Sequence, residues 1–395
     1  MYPMAKLSDL AELNPTHGRS FPNPGLVSFL GMADVSESGT TSPGEDREYL
    51  DVSKGYTPFK NGDILVAKIT PCFQNGKIAQ AALEREIGAG STEFHVIRPR
   101  ANVDARYLLR YLRQEWIRAE GELRMTGSGG QRRVPEAYLA DLKVPAPPVA
   151  EQKRIATLLD HVDALRAKRS QAIELLDDLV RSTFLDMFGD PALNPKEWPL
   201  GVVGDILKSA TYGTSEKASL AGDVPVLRMG NITPTGEIDM TDLKYLKVEQ
   251  VSEKCMVHPG DVLFNRTNSA DLVGKSAIYR RGESVAYAGY LVRLRVDAQN
   301  DPEYLAAYLN SAYAKAWFRA KCKSIVGMAN INAKEVQSMR IALPPLVLQV
   351  KFGETVKVIE SAKQIHRGHL AVLDELFTSI QQRAFADELW NHEAA

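Results

Sequence analysis

Cysteine is scarce in this chain, and long apolar runs are missing. Three cysteines stand at positions 72, 255 and 322 of 395 residues, with neither metal-ligand spacing nor an even count for pairing. No disulfide or zinc framework is implied, and the thiols read as reduced. No stretch approaches the roughly 20 apolar residues of a membrane span, and the first ten residues have no apolar core behind a basic start. A cytoplasmic protein with no membrane partner is expected. An excess of charge of one sign is missing too. The formal net charge is -1, which argues mildly against a nucleic-acid partner, because non-specific DNA affinity comes from neutralised phosphates.

The signatures of self-contained catalysis are equally absent. Gly274-Lys275-Ser276 invites a phosphate-loop reading, but Ser269 stands where that pattern needs a glycine, and the matching Gly76-Lys77-Ile78 loses the hydroxyl as well. The pairs Pro147-Pro148 and Pro344-Pro345 follow Ala146 and Leu343 and form no Asn-Pro-Pro-aromatic methylase tetrad. Asp63 and Asp261 have no acidic-x-Lys partner at the right distance to hold magnesium and read as turn caps. The seven histidines, none in a Glu-flanked pair, are expected to bind no metal. The chain is expected to be no enzyme and to hold no metal or cofactor of its own.

What is present is a soluble, globular composition, 44% hydrophobic and 25% charged, long enough for two or three domains, each with its own core. Charge is unevenly placed. Residues 98–133 hold nine arginines against four carboxylates, and residues 262–281 are locally basic as well. The chain is also written twice. Val27 to Gly39 matches Val224 to Gly236, with Met32 over Met229 at an offset of 197. Gly62-Asp63 matches Gly260-Asp261, and Gly76-Lys77 matches Gly274-Lys275, at 198. The offset returns to 197 for Tyr107 over Tyr304, Gln152 over Gln349 and Phe188 over Phe385. A period so far above 20 to 50 residues is a domain duplication, not a solenoid.

Within each copy the pattern predicts an α+β domain followed by one long helix. Residues 63–68, 94–98, 261–265 and 290–295 read as strands, and residues 104–123 and 302–322 as helices. The proline pairs close each domain. From about 150 to 188, apolar residues take heptad spacing: Ile155, Val162 and Leu176 at one position, Leu158, Leu165 and Leu179 at the other. The second helix, about 348 to 387, repeats this with Phe352, Ile359, Leu373, Val356, Leu370 and Phe377. Arg169 interrupts the first seam, and His366 occupies the matching place. Each helix could pack on its own domain. At roughly 57 Å, each outreaches a domain of ~150 residues, and antiparallel pairing with the other is the more economical arrangement.

This order of features resembles the specificity (S) subunits of Type I restriction-modification enzymes. The resemblance rests on the Gly-Asp-Ile/Val-Leu blocks at 62 and 260, the Gly130 and Gly327 loops, the Pro-Pro-x-x-x-Gln segments ending at Gln152 and Gln349, and the long helices that follow. It spans nearly the whole chain, twice. It implies two pseudo-symmetric target recognition domains, residues 1–147 and 191–345, with spacer helices at 148–190 and 346–390 and a tail at 391–395. Each domain would read one half of a split DNA site. The partners implied are double-stranded DNA, two methylation subunits that bind S-adenosylmethionine, and restriction subunits that use ATP and magnesium.

Base readout needs Arg or Lys for guanine and Asn or Gln for adenine on surfaces that reach the groove. In the first copy, Lys68, Thr70, Gln74, Asn75 and Lys77 lie in a Gly- and Pro-punctuated loop. Ser128, Gln131, Arg132 and Arg133 lie in a second loop. The second copy offers Arg266, Asn268 and Lys275, then Asn330 and Asn332, with Arg228 a further candidate. Any of these could instead touch phosphate, the commoner kind of contact. A methylation-only or related phage-defence system, and a coiled-coil protein-binding adaptor, are the alternative functions.

Overall fold

The computed structural model describes residues 2–15, 25–128, 130–269, 272–325 and 328–389. The chain divides into two compact units, Met1–Lys168 with Leu370–Ala395, and Arg169–His369. Both divisions fall inside the long helices, so each unit takes in part of both. The expected tail at 391–395 and Gly327 lie outside the described residues.

Each unit is built on two four-stranded sheets. In the first, Ala11–Leu13, Phe94–Pro99, Ile64–Ala67 and Ile78–Gln80 form an antiparallel sheet in that order. Glu45–Glu48, Leu26–Leu30, Ile87–Gly90 and Thr57–Lys60 form the other, whose central pair is parallel. The second unit repeats the plan with Leu207–Tyr212, Leu291–Val296, Val262–Asn265 and Ser276–Ile278, then Lys244–Leu246, Val224–Leu227, Val285–Tyr287 and Met256–Val257. The central pair of its second sheet is again parallel.

The strand Ile64–Ala67 is apolar throughout because both its faces are covered. Ile64 and Val66 face the helices with Tyr107 and Leu108, while Leu65 packs with Leu30 and Phe59 of the second sheet. Val262 and Phe264 share one cluster with Tyr304 and Leu305, and Leu263 joins Leu227 and Tyr287 in another. The glycine opening each block is needed for its backbone, since Gly62 and Gly260 both have φ +91.

The Gly-Asp aspartates do cap turns: Asp63 Oδ2 accepts from Lys60 N at 2.8 Å, and Asp261 Oδ2 from His258 N at 2.9 Å. Both then take a guanidinium in a two-pronged pair, Arg98 at 2.6 and 2.9 Å and Arg295 at 2.7 and 2.8 Å. The Pro-Pro-x-x-x-Gln segments have a similar explanation. Gln152 is buried, accepts from Asp104 N and donates to Pro147 O, each at 2.8 Å. Gln349 does the same with Asp301 N and Pro344 O, each at 2.9 Å. One amide thereby ties the start of the long helix to the N-cap of the helix packed beside it.

Those packed helices are shorter than the sequence suggests. The run predicted at 104–123 is Ala105–Leu112 followed by Glu115–Leu123, and the one at 302–322 is Pro302–Asn310 followed by Ala312–Lys321. Gln114 and Ser311 sit between them in extended geometry as N-caps, which interrupts the helical ladder without breaking the apolar periodicity.

The long helices are Val149–Phe188 and Leu346–Phe385, 40 residues each, and they pair antiparallel. In the second unit Asp177 meets Lys363 at 2.5 Å, and Phe184 meets Phe352 with ring centroids 5.8 Å apart. In the first, Arg166 Nε donates to Asp374 at 2.6 Å. Arg169 Nη1 lies 3.4 Å from His366 Nδ1, so the two residues that interrupt the seams face each other. The helices also close the domain cores. Ile155, Ala156 and Leu159 share the first unit's core with Phe377, Ile380, Ala384 and Phe385 from the far end of the other helix. Phe184 and Phe188 share the second unit's core with Phe352 and Val356.

The seam departs from strict heptads. Ile155, Val162, Phe352, Val356 and Ile359 are buried, and Leu158, Leu165, Leu176, Leu370, Leu373 and Phe377 are half-buried. Leu179, expected in the seam, is exposed, and Val180, Phe184 and Phe188 carry the contact instead. A straight helix with 3.6 residues per turn drifts about 20° per heptad, so three heptads on from Leu158 the inward row has moved from 179 to 180.

Candidate functional site

In the first unit the backbone joins the two candidate loops. Lys68 N donates to Glu93 O at 2.8 Å, and Val134 N donates to Lys68 O at 2.9 Å. Thr70 N donates to Arg132 O at 3.0 Å, while Arg132 N donates to Thr70 Oγ1 at 3.1 Å. On this frame Arg133 grips Glu93 through Nε at 2.9 Å and Nη2 at 2.7 Å. That hydrogen bond holds the Glu93 carboxyl below the usual carboxylate range, against the opposing effect of partial burial. Arg132 lies 3.6 Å from Glu122, which also accepts from Gln74 Nε2 at 3.0 Å. Asn75, Ser128 and Gln131 are exposed around them.

The second unit has the same frame with different side chains. Arg266 N donates to Tyr290 O at 3.1 Å, and Ile331 N donates to Arg266 O at 2.9 Å. The strand Thr267–Asn268 pairs with Met328–Asn330. Arg266 Nη2 donates to Asn330 Oδ1 at 3.1 Å, and its guanidinium lies over the Tyr212 ring, 5.0 Å from the centroid. By the repeat, Lys68, Glu93 and Arg133 correspond to Arg266, Tyr290 and Asn330. Main-chain bonds fix where these three side chains stand, and their chemistry differs between the copies.

Four sequence candidates have structural duties. Lys77 Nζ donates to Met32 O at 2.9 Å, away from any loop surface. Its equivalent Lys275 is buried, at 8% exposure, and burial lowers its pKa; it belongs to the sheet side of its hairpin, where Asn265 N donates to Lys275 O. Arg228 Nη2 donates to Asp242 Oδ2 at 2.8 Å, holding a turn. Asn332 caps the helix Ala333–Gln337, accepting from Glu335 N at 2.9 Å. Lys77, Arg228 and Asn332 thus bond main-chain groups, and Lys275 is simply buried.

Sequence reasoning passed over Glu93, Tyr212, Tyr290 and His95. Glu93 and Tyr290 are themselves a repeat pair, each just before a strand, and that equivalence is the signal that could have found them. Tyr212 was hidden because it reaches Arg266 from a strand far earlier in the chain, Leu207–Tyr212. Its hydroxyl accepts from Ala333 N at 2.9 Å. His95 is buried beneath the Arg133 loop, its Nε2–H donating to Val134 O at 2.9 Å and its Nδ1 accepting from Asn14 Nδ2 at 3.2 Å. Burial pushes its pKa down.

Two copies of one frame, each presenting a distinct set of polar side chains, make this a protein of two duplicated units. The chain belongs to the Type I restriction modification DNA specificity domain family, whose model matches it twice, over residues 2–175 and 195–375. It is 38% identical over 183 residues to the Type I restriction enzyme EcoAI specificity subunit of Escherichia coli, a match covering 45% of this chain and 31% of that subunit. With the EcoEI specificity subunit of the same organism it shares 25% identity over 456 aligned positions, covering 89% of this chain and 76% of the relative. Its fold is similar to a chain of the type I R-M system solved for its complex assembly and conformational transition, with a TM-score of 0.55 at 18% identity over 98% of both chains. It is also similar to the S subunit of a Type I restriction-modification system from M. genitalium, with a TM-score of 0.55 at 15% identity over 98% of this chain and 96% of the other. Among the described residues no helix is long and apolar enough to cross a membrane.

Proposed function

We propose that this chain is the non-catalytic DNA-reading subunit of a Type I restriction-modification assembly, each unit reading one half of a bipartite, asymmetric site. The observation that carries this reading is the repeated main-chain frame with Lys68, Glu93 and Arg133 on one copy and Arg266, Tyr290 and Asn330 on the other. A common frame gives both units one way of meeting a duplex, and different side chains give them different base preferences.

The long helices fix the spacing between half-sites and dock the methylation subunits. Leu175 and Leu179 on one helix, and the repeat-equivalent Val372 and Leu376 on the other, are exposed apolar pairs. Two equivalent patches suit two copies of one partner. S-adenosylmethionine would be bound by those methylation subunits, and ATP and magnesium would serve the restriction subunits.

The test is methylome sequencing of cells expressing the chain with its methylation subunit, against cells lacking only the chain. A split motif with a fixed gap that depends on the chain is the expected result. Absence of any chain-dependent motif would overturn the proposal.

A further inference from the structure

Among the described candidate residues, the arginines differ in what neutralises them. Arg133 lies against Glu93, Arg132 against Glu122 and Arg228 against Asp242. Arg266 is held by neutral groups: Asn330 Oδ1 accepts from Nη2 at 3.1 Å, Gly289 O accepts from Nη1 at 3.5 Å, and the Tyr212 ring lies beneath the guanidinium. Its Nε is buried with no hydrogen-bond partner. Among the described residues no carboxylate pairs with it; a half-buried cation so placed is costly, and here it is also fixed in plane and rotation. Tyr212 itself is pinned, since its hydroxyl accepts from Ala333 N.

A guanidinium has five N–H donors in a planar fork. With one hydrogen on each Nη engaged internally, one on each Nη remains, and this pair matches two acceptors side by side. In the major groove guanine offers O6 and N7 as such a pair, whereas adenine places a donor beside its acceptor. Resting on the reading of the chain as a DNA-specificity subunit, we propose that Arg266 reads a guanine in the half-site of the second unit, with Tyr212 and Asn330 as positioning residues. The equivalent place in the first unit carries Lys68, with Arg133 tied to Glu93, so the first half-site does not share this requirement.

The test is selection from randomised duplexes by the full chain assembled with its methylation subunits. Arg266→Lys keeps the charge and loses the fork. It should lower the preference for guanine by about 5- to 150-fold at one position of one half-site, leaving the other half-site unchanged. Tyr212→Phe, which keeps the ring but loses its tie to Ala333 N, should retain most of the preference. Tyr212→Leu should erode it at the same position, whereas a merely structural role would weaken all positions together. Uniform weakening across sequences, with the salt dependence reduced by about one phosphate's worth, would mark Arg266 as a phosphate contact and overturn the inference. So would unchanged preference at every position. If the unsubstituted assembly selects no split motif, the recognition reading itself fails, an outcome visible before any substitution is made.

Discussion

Removing one phenyl ring at the end of either long helix should weaken a domain encoded far away in the chain. Phe385 lies with its ring 5.3 Å from Tyr107 and 5.0 Å from Tyr111 in the first unit. Its repeat partner Phe188 is 3% exposed and packs 4.8 Å from Tyr304 and 5.5 Å from Phe352 in the second. Truncating a fully buried phenylalanine to alanine costs about 3–5 kcal/mol. Phe188→Ala should fall in that range, and the half-buried Phe385→Ala somewhat lower, at about 2–3 kcal/mol including its lost aromatic pairs. At ~2–4 °C per kcal/mol for a unit of this size, Phe188→Ala should lower the unfolding midpoint of the second unit by roughly 6–20 °C. Hydrogen exchange read by peptide separates the units. Phe385→Ala should cost protection in Ala105–Leu112 and spare Pro302–Asn310, and Phe188→Ala should do the reverse. Loss of protection in the wrong unit, or confined to the truncated helix end, would refute the swapped closure.

Asp261→Asn leaves Arg295 and the nearby Arg293 facing a neutral side chain at a buried site; a denaturant midpoint showing about 3–5 kcal/mol of destabilisation is expected, and a change under 1 kcal/mol would show the pair to be dispensable. Because burial lowers the His95 pKa, the folded chain binds fewer protons there than the unfolded chain, so its contribution favours folding above about pH 6.5 and weakens as pH falls through that value to the folded pKa. Comparing His95→Gln with the unsubstituted chain from pH 8 to 5 should show the stability difference shrinking, and a constant difference would contradict it. Lys68→Ala should change selection in one half-site only, or reduce the salt slope of binding by about one if the lysine meets phosphate; an effect in the half-site altered by Arg266→Lys would mean the units are misassigned.

The duplication, the strands and the long helices were legible because they depend on patterns the chain repeats: apolar alternation, Gly-Asp turns and Pro-Pro-x-x-x-Gln. Helix interruptions at Gln114 and Ser311 were hidden, since a one- or two-residue break preserves the apolar spacing around it. Leu179 was misplaced because a heptad grid accumulates error along a straight helix. At the site, residue type alone could not separate Arg266, which keeps donors for an outside acceptor, from Arg228, which spends them on Asp242. Lys275 had the right chemistry and a buried position, and Lys77 spends its ammonium on Met32 O. Tyr212 needed the tertiary fold, as nothing in its own strand announces an arginine overhead.

The middle of the helix pair repeats one set of charged contacts. Arg166 with Asp163 and Asp374, and Lys363 with Glu360 and Asp177, are one arrangement written twice, the reciprocal contact that a symmetric dimer of a single copy would make. Where the two seams meet, the chain sets Arg169 against His366, a cation against a ring nitrogen that can accept from it, where two arginines would repel.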